Sequence, residues 1–427
     1  MKIQISELKK LIGANKRVSD YKINSTETTS DELFFVHRKL ETARHTDTRD
    51  VTVTVYVDHD GKKGESSFPV YSSMNEEEIR HKITAAAERA KLVFNEPYDI
   101  PRGEKIERKV ASDFEKYDPK ELAAKIADAV FKADKFEGGS INALEVFVYK
   151  HVSSVLNGRG VDATEIKYDA MVEAIPTWNE GGESVELYEA YRFTEFDEND
   201  VTREIEEKMK EVRDRKRAKK PEGKINVPVV LNAKEAGELF TEIAFDLNYS
   251  AAYSHSALHK IGDDLQKGDG DKINLTMKGE IKGSRFSAAF DADGVTLADR
   301  KIIENGKVVG MFGANRFAEY LGEKPTGNLR CVEVEKGTLT DEELPKAPYL
   351  ECVSLSGLQL DLYNDYIGGE IRLAYYHDGE KVVPLTGISM SGRLSEVLAN
   401  VRLSDKTRVF ENYGGPYKVL LKGMEIL

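Results

Sequence analysis

Val51-Thr52-Val53-Thr54-Val55-Tyr56-Val57 runs into the turn residues Asp58 to Gly64, and a second β-prone run follows from Glu65 to Tyr71. After Ser73 comes Met74-Asn75-Glu76-Glu77-Glu78-Ile79-Arg80, continuing to Phe94. The first run alternates β-branched residues, as a half-buried strand does. The last run has acids in its first turn and bases later, which complements a helix dipole. Strand, turn, strand and helix follow one another without the regular βαβ alternation of a parallel sheet, so the stretch predicts an α+β fold.

The same mixture extends outward. Glu121 to Phe136 reads as a second helix, and Leu144 to Tyr149, Glu165 to Ile175 and Ser184 to Phe193 read as strands. Asn157-Gly158 and Gly181-Gly182 mark turns between them. Residues 203–224 look like a boundary. An acidic helical stretch with almost no apolar face, Glu204 to Glu211, gives way to the basic cluster Arg213 to Lys220 and then Pro221. This reads as a solvated, salt-bridged helix end entering a linker. Ile225 to Leu231 opens a new apolar strand. Helices are expected at Ala233 to Asn248 and Ala252 to Leu265, and the remainder is a string of short strands. Those strands include Arg285 to Phe290, Lys307 to Phe312, Lys381 to Met390 and Tyr417 to Ile426, with hairpin turns at Asn305-Gly306 and Asp378-Gly379. The expectation is two domains. Residues 1–222 form a mixed α/β, sandwich-like unit ending in the charged helix, and residues 223–427 form a large, mostly antiparallel β unit with a few helices.

Composition narrows the function. Of 427 residues, 40% are hydrophobic and 32% charged, enough for sizeable cores. A net charge of −13 argues against a general nucleic-acid binder, which needs clustered Lys and Arg. No apolar run is long enough to cross a membrane, and the first residues lack a signal-peptide core, so a cytoplasmic location is expected. Cys331 and Cys352 are the only cysteines, too few for a disulfide framework.

Short motifs are weak. Gly158-Arg159-Gly160-Val161-Asp162-Ala163 fits a dinucleotide pattern formally but lies between two expected strands, so it reads as a hairpin. Asp291-Ala292-Asp293-Gly294 and Asp269-Gly270-Asp271 lack the later calcium ligands of an EF-hand and read as turns. His255 and His259, four apart on the expected second helix with Asp263 one turn on, could hold zinc, although neither has an adjacent Glu as general base. There is no G-x-S-x-G elbow, P-loop or kinase signature.

Several stretches together resemble the TldD/PmbA family, also called modulators of DNA gyrase. They are the strand–turn–strand–helix unit from Val51 to Phe94; Val227-Pro228-Val229-Val230-Leu231 leading to Ala236-Gly237; and Asp293-Gly294-Val295 followed by Ile303-Glu304-Asn305-Gly306 and Gly310. Thr326-Gly327-Asn328, Gly369 to Gly392 with Ile388-Ser389-Met390-Ser391-Gly392, and the closing Gly415-Pro416 to Ile426 complete the set. The family contains zinc-bearing TldD-type chains, with H-E-x-x-x-H on a key helix and a late Cys, and PmbA/TldE-type chains that generally lack this set. Here the corresponding residues are Thr241, Glu242 and Asp246, and nothing after Cys352 is Cys. The resemblance therefore implies a metal-free, PmbA/TldE-like subunit, catalytically inactive alone and without cofactor. It would pair with a TldD-like zinc-bearing chain (or with itself) to process unfolded peptides. An independent zinc peptidase using His255 and His259, and a non-proteolytic regulatory protein, are the alternatives.

Overall fold

The computed structural model describes residues 4–103, 105–346 and 348–427. In chain order the first half comprises α1 (Ile5–Gly13), β1 (Asp20–Val36), β2 (Lys39–His59), β3 (Lys62–Pro69), α2 (Glu76–Ala90), β4 (Lys105–Lys109) and α3 (Pro119–Lys132). It continues with β5 (Gly139–Asn157), β6 (Asp162–Glu180), β7 (Glu183–Glu186), β8 (Glu189–Phe193) and α4 (Glu198–Arg217). One eight-stranded sheet runs β3-β2-β1-β5-β6-β4, with β7 and β8 paired to β6. Only β4 joins it in parallel.

Helices cover one face of this sheet. Ile23, Val53, Val55 and Leu156 meet α1 and α2 at one end. Leu144, Val146, Val148, Ala170 and Val172 meet α3 and α4 at the other. α2 starts as its sequence directs, two residues later than Ser73 suggests: the Asn75 side chain accepts from the Glu78 N–H at 3.0 Å, and the Glu78 carboxylate accepts from the Asn75 N–H at 2.7 Å. α4 corrects the reading of a stretch with almost no apolar face. Val201, Ile205, Met209 and Val212 form a buried stripe against α3 and β6, and Glu204 and Glu211 are buried with it. The basic cluster is tied down as well, with Arg217 on Glu180 and over the Trp178 ring, and Lys216 on Glu183.

The second half comprises β9 (Val229–Asn232), α5 (Ala233–Asp246), α6 (Tyr249–Tyr253), β10 (Leu275–Lys278), β11 (Arg300–Glu304), β12 (Lys307–Val308), α7 (Asn315–Leu321) and β13 (Cys331–Val334). Then come β14 (Tyr349–Leu355), β15 (Gln359–Asp361), β16 (Tyr366–His377), β17 (Val382–Leu385), β18 (Ile388–Arg393) and α8 (Leu394–Ala399). β19 (Arg402–Leu403), β20 (Thr407–Phe410), β21 (Tyr413–Pro416), β22 (Lys418–Leu421) and β23 (Glu425–Ile426) close the chain. A six-stranded sheet runs β12-β11-β10-β13-β21-β20, and a nine-stranded sheet runs β19-β22-β9-β14-β16-β18-β23 with β15 and β17 on β16. One apolar core joins both sheets to α5. Strands are mostly antiparallel, so the α+β class read from the sequence holds. Arg285 to Phe290 is not a strand, and the strands expected at 381–390 and 417–426 are each broken in two, at Thr386-Gly387 and at Lys422 to Met424.

The halves dock through the turn Asp291 to Gly294. Lys22 Nζ lies 2.5 Å from Asp293 Oδ1, Asn24 donates to the Ala292 carbonyl, and the Ala289 N–H donates to Glu165. Gly294 has φ +80°, and a Cβ there would stand 2.4 Å from Val161, so the close approach requires glycine. Among the described residues no helix is long and apolar enough to cross a membrane.

Candidate functional site

α5 is the element that carries the residues singled out in the sequence. β9 ends at Asn232, whose extended backbone (φ −84°, ψ 174°) opens the helix. Ala233, Ala236, Gly237, Phe240, Ile243 and Ala244 then recur at helical spacing and are buried between the two sheets. Phe240 stacks on Tyr413 with ring centroids 6.1 Å apart and planes 6° from parallel. Gly237 lets Tyr413 come close, since a Cβ there would meet Tyr413 Cβ at 2.9 Å. The packing fixes which side chains look away from the core.

Thr241 is half-buried, and its hydroxyl accepts from Asn412 Nδ2 at 3.3 Å. Glu242 is exposed and forms no hydrogen bond or ion pair among the described residues. Asp246 is buried and fully engaged. Its Oδ1 accepts the Leu258 N–H at 2.7 Å, and its Oδ2 accepts the His259 N–H at 3.0 Å and faces His259 Nδ1 at 2.9 Å. Burial pushes the Asp246 carboxyl up, but the His259 ring and the two backbone donors outweigh it and hold it below the usual aspartate value.

His255 and His259 do not share a helix face. α6 stops at Tyr253, and His255 takes a left-handed backbone with φ +57°. The residues after it form a loop folded onto Asp246, so of the helix expected at Ala252 to Leu265 only Ala252 and Tyr253, the end of α6, are helical and the rest is turn and coil. The physical reason is local: Ser254 and Ser256 turn their hydroxyls back onto the carbonyls of Ser250 and Ala251, competing with helix continuation. Zn²⁺ takes four ligands in a tetrahedron, whereas Thr241, Glu242 and Asp246 offer one neutral hydroxyl, one outward carboxylate and one carboxylate already saturated by protein donors. This donor set does not fit zinc. Among the described residues no three His, Cys, Asp or Glu side chains converge as a metal-binding group. His259 was invisible as Asp246's partner in the sequence, because the two lie 13 residues apart with irregular chain between them.

Other reactive groups are muted. Cys331 and Cys352 are free and buried, and burial raises both thiols above their ordinary value, so neither is a ready thiolate. On the face of the N-terminal sheet opposite its helices, Thr28 Oγ1 lies 3.0 Å from His151 Nδ1 and His151 Nε2 lies 3.1 Å from Asp169. That is the order of a hydroxyl–imidazole–carboxylate catalyst. Thr28 sits mid-strand, however, with β2 and β5 on either side consuming the surrounding backbone donors, which leaves none for an oxyanion. At the other end of α5, Glu235 is 2% exposed, and burial pushes its carboxyl up to about 7.

Comparisons with known proteins agree with this architecture. Residues 223–427 match the PmbA/TldA metallopeptidase C-terminal domain. A metalloprotease of Synechocystis sp. is 25% identical over 147 residues, which span 31% of this chain and 32% of that protein, so the chain aligns with about a third of that relative's length. TldE from Thermococcus kodakarensis has the same fold, with a TM-score of 0.79 and 16% identity over 99% of this chain and 98% of that one. A candidate modulator of a DNA gyrase from Thermotoga maritima superposes with a TM-score of 0.76 and 16% identity, over 99% and 100% of the two chains.

Proposed function

The chain belongs to the TldD/PmbA family through its C-terminal half, residues 223–427, and from that premise we propose that it is the non-metal-binding, PmbA/TldE-like subunit of a cytoplasmic peptidase complex. The observation that carries the reading is the state of Asp246. Its two oxygens are committed to Leu258 and His259, and Thr241 and Glu242 supply no substitute ligand set. Without a metal-bound water to deprotonate, Glu242 has no nucleophile to generate.

Zinc and hydrolysis then come from a TldD-type partner, or this chain pairs with a second copy where no such partner exists. The role of this chain is to complete the enclosure and help hold an extended, unfolded peptide through backbone hydrogen bonds along a sheet edge, a mode indifferent to side-chain sequence. Neither nucleic-acid contact nor membrane attachment belongs to this reading, which the net charge of −13 supports on the first count.

The test is to purify the chain alone and with a co-expressed TldD-type subunit, measure zinc by atomic emission after desalting, and follow cleavage of an unfolded protein. The reading expects a stable complex, zinc and cleavage with the partner, and neither zinc nor cleavage without it. Stoichiometric zinc together with cleavage by the chain alone would overturn it.

A further inference from the structure

A cavity of about 550 Å³ lies between α4 and the N-terminal end of α5. Most charges on its wall are matched by protein partners. Lys208 lies 3.2 Å from Glu189 and 2.8 Å from Glu211, Arg408 pairs with Glu204, and Glu351 is met by Lys418 at 3.0 Å and His377 at 3.3 Å. Two carboxyls are left over. Glu235 lines the cavity, is 2% exposed, and has no hydrogen bond or ion pair to another described residue. Glu207, exposed and also on the lining, has none either.

Asn232 adds an unsatisfied acceptor beside the cavity. Its Nδ2 donates to the Cys352 carbonyl at 3.0 Å, which fixes the amide orientation and leaves Oδ1 buried without a partner. A buried carboxyl and a buried amide oxygen three residues apart, both on the lining of one cavity, call for a donor. A helix N-terminus ordinarily attracts anions, but this one is already occupied by Glu235 and presents acceptors instead. Tyr188, Phe410 and Tyr417 on the same lining supply aromatic surface of the kind that holds organic cations. Lys210 and Lys234, both exposed, also belong to the lining.

From this arrangement we propose that the α4–α5 cavity binds the primary ammonium group of a small organic molecule, with Glu235 as its acceptor and Asn232 Oδ1 buried beside it. A simple diamine and the free amino end of a short peptide share this chemistry. The peptide would in addition place its carboxylate toward Lys210 and Lys234.

Isothermal titration of the full chain with 1,4-diaminobutane, Ala-Ala and N-acetyl-Ala-Ala at constant ionic strength tests the proposal. Binding of the diamine or of Ala-Ala, with no binding of the acetylated dipeptide, supports it, and the relative strength of the first two identifies the source. Glu235→Gln should weaken the bound probe about tenfold or more, because a charge-assisted contact becomes a neutral one. Glu207→Gln, on an exposed residue that leaves folding intact, should weaken it about two- to threefold. No binding of either amine, equal binding of the acetylated dipeptide, or an affinity unchanged in both variants would overturn it.

Discussion

The two ends of α5 each bury a carboxyl and treat it in opposite ways. Asp246, at the C-terminal end, has its acceptor sites filled by two backbone N–H groups and an imidazole, and is held below its ordinary pKa. Glu235, at the N-terminal end, has no partner among the described residues beyond its own backbone N–H and is pushed up to about 7, although the helix dipole there favours an anion. Burial is common to both, so what separates them is the supply of donors. One end is finished as structure, and the other is left open onto a cavity.

The comparison is broken most severely at Asp246. Asp246→Ala strands the Leu258 and His259 N–H groups and frees the loop after α6, and should cost roughly 2–4 kcal/mol of stability. Urea unfolding would show a lower midpoint with an unchanged slope. Asp246→Asn, which keeps one acceptor, should fall between the variant and the parent.

Glu235→Gln should act in the opposite direction and with an opposite pH dependence. The folded carboxyl titrates at about 7 against an ordinary 4.5, so the folded state binds the proton more tightly. Its contribution is favourable at low pH and is lost as pH rises from about 4.5 to about 7, a span worth roughly 1–3 kcal/mol. The Glu235 N–H, then Lys234 and Lys208, moderate the effect and Glu238 adds to it, while the neighbouring Cys352 thiol stays neutral. The variant should therefore be more stable than the parent at pH 8 and nearly equal to it at pH 5, as thermal unfolding at the two pH values would report. Asp246, with a lowered pKa, contributes stability that is present above the ordinary aspartate value and is lost only as pH falls through its folded pKa. Equal pH slopes for Glu235→Gln and Asp246→Asn would remove the distinction between the two ends.

The helix that separates these ends was legible in the sequence because its apolar stripe is complete, from Ala233 to Ala244 at spacings of three and four. β1 was not. Between Ile23 and Leu33 its core-side positions are Ser25, Glu27, Thr29 and Asp31, so 17 residues of strand carry almost no period-2 apolar signal, and the strand exists because β2 and β5 pair with it on both sides. The loop from Ser254 to Leu265 misled in the opposite sense, since His255, Leu258, Ile261 and Leu265 imitate helical spacing while Leu258 and Ile261 are in fact exposed. At the candidate site, Thr241, Glu242 and Asp246 could be named from resemblance, but the saturation of Asp246 depends on a loop whose shape no local pattern encodes. Glu235 drew no notice in the sequence, and its burial beside a cavity that residues of α4 and β14 also line is a tertiary fact.

Gly237→Ala probes the rigid middle of the helix. Alanine is the better helix former by about 1 kcal/mol, but its Cβ would stand 2.9 Å from Tyr413 Cβ, an overlap that typically costs about 1–3 kcal/mol. Tyr413 is fully buried and stacked on Phe240, so it has little room to retreat. The expected result is a net loss of about 1 kcal/mol, visible as a fall of a few degrees in Tm. A gain in stability would mean that the helix and β21 can separate, and that the two ends are not held at a fixed distance.

The smallest effect is expected at Glu242, and its smallness is the point. The residue is exposed and unpaired among the described residues, so Glu242→Gln should change stability by no more than about 0.5 kcal/mol. In a metallopeptidase the equivalent carboxylate is the general base, and its amide variant abolishes turnover. If the carboxylates of α5 serve structure at Asp246 and ligand binding at Glu235, then Glu242 serves neither purpose, and a complex assembled with Glu242→Gln in this chain should cleave unfolded substrate at the parental rate. A fall of about a hundredfold in kcat with unchanged stability and assembly would instead assign Glu242 to the chemistry. The open and closed ends of α5 would then flank a working residue between them, and the division into a structural end and a binding end would no longer describe the helix.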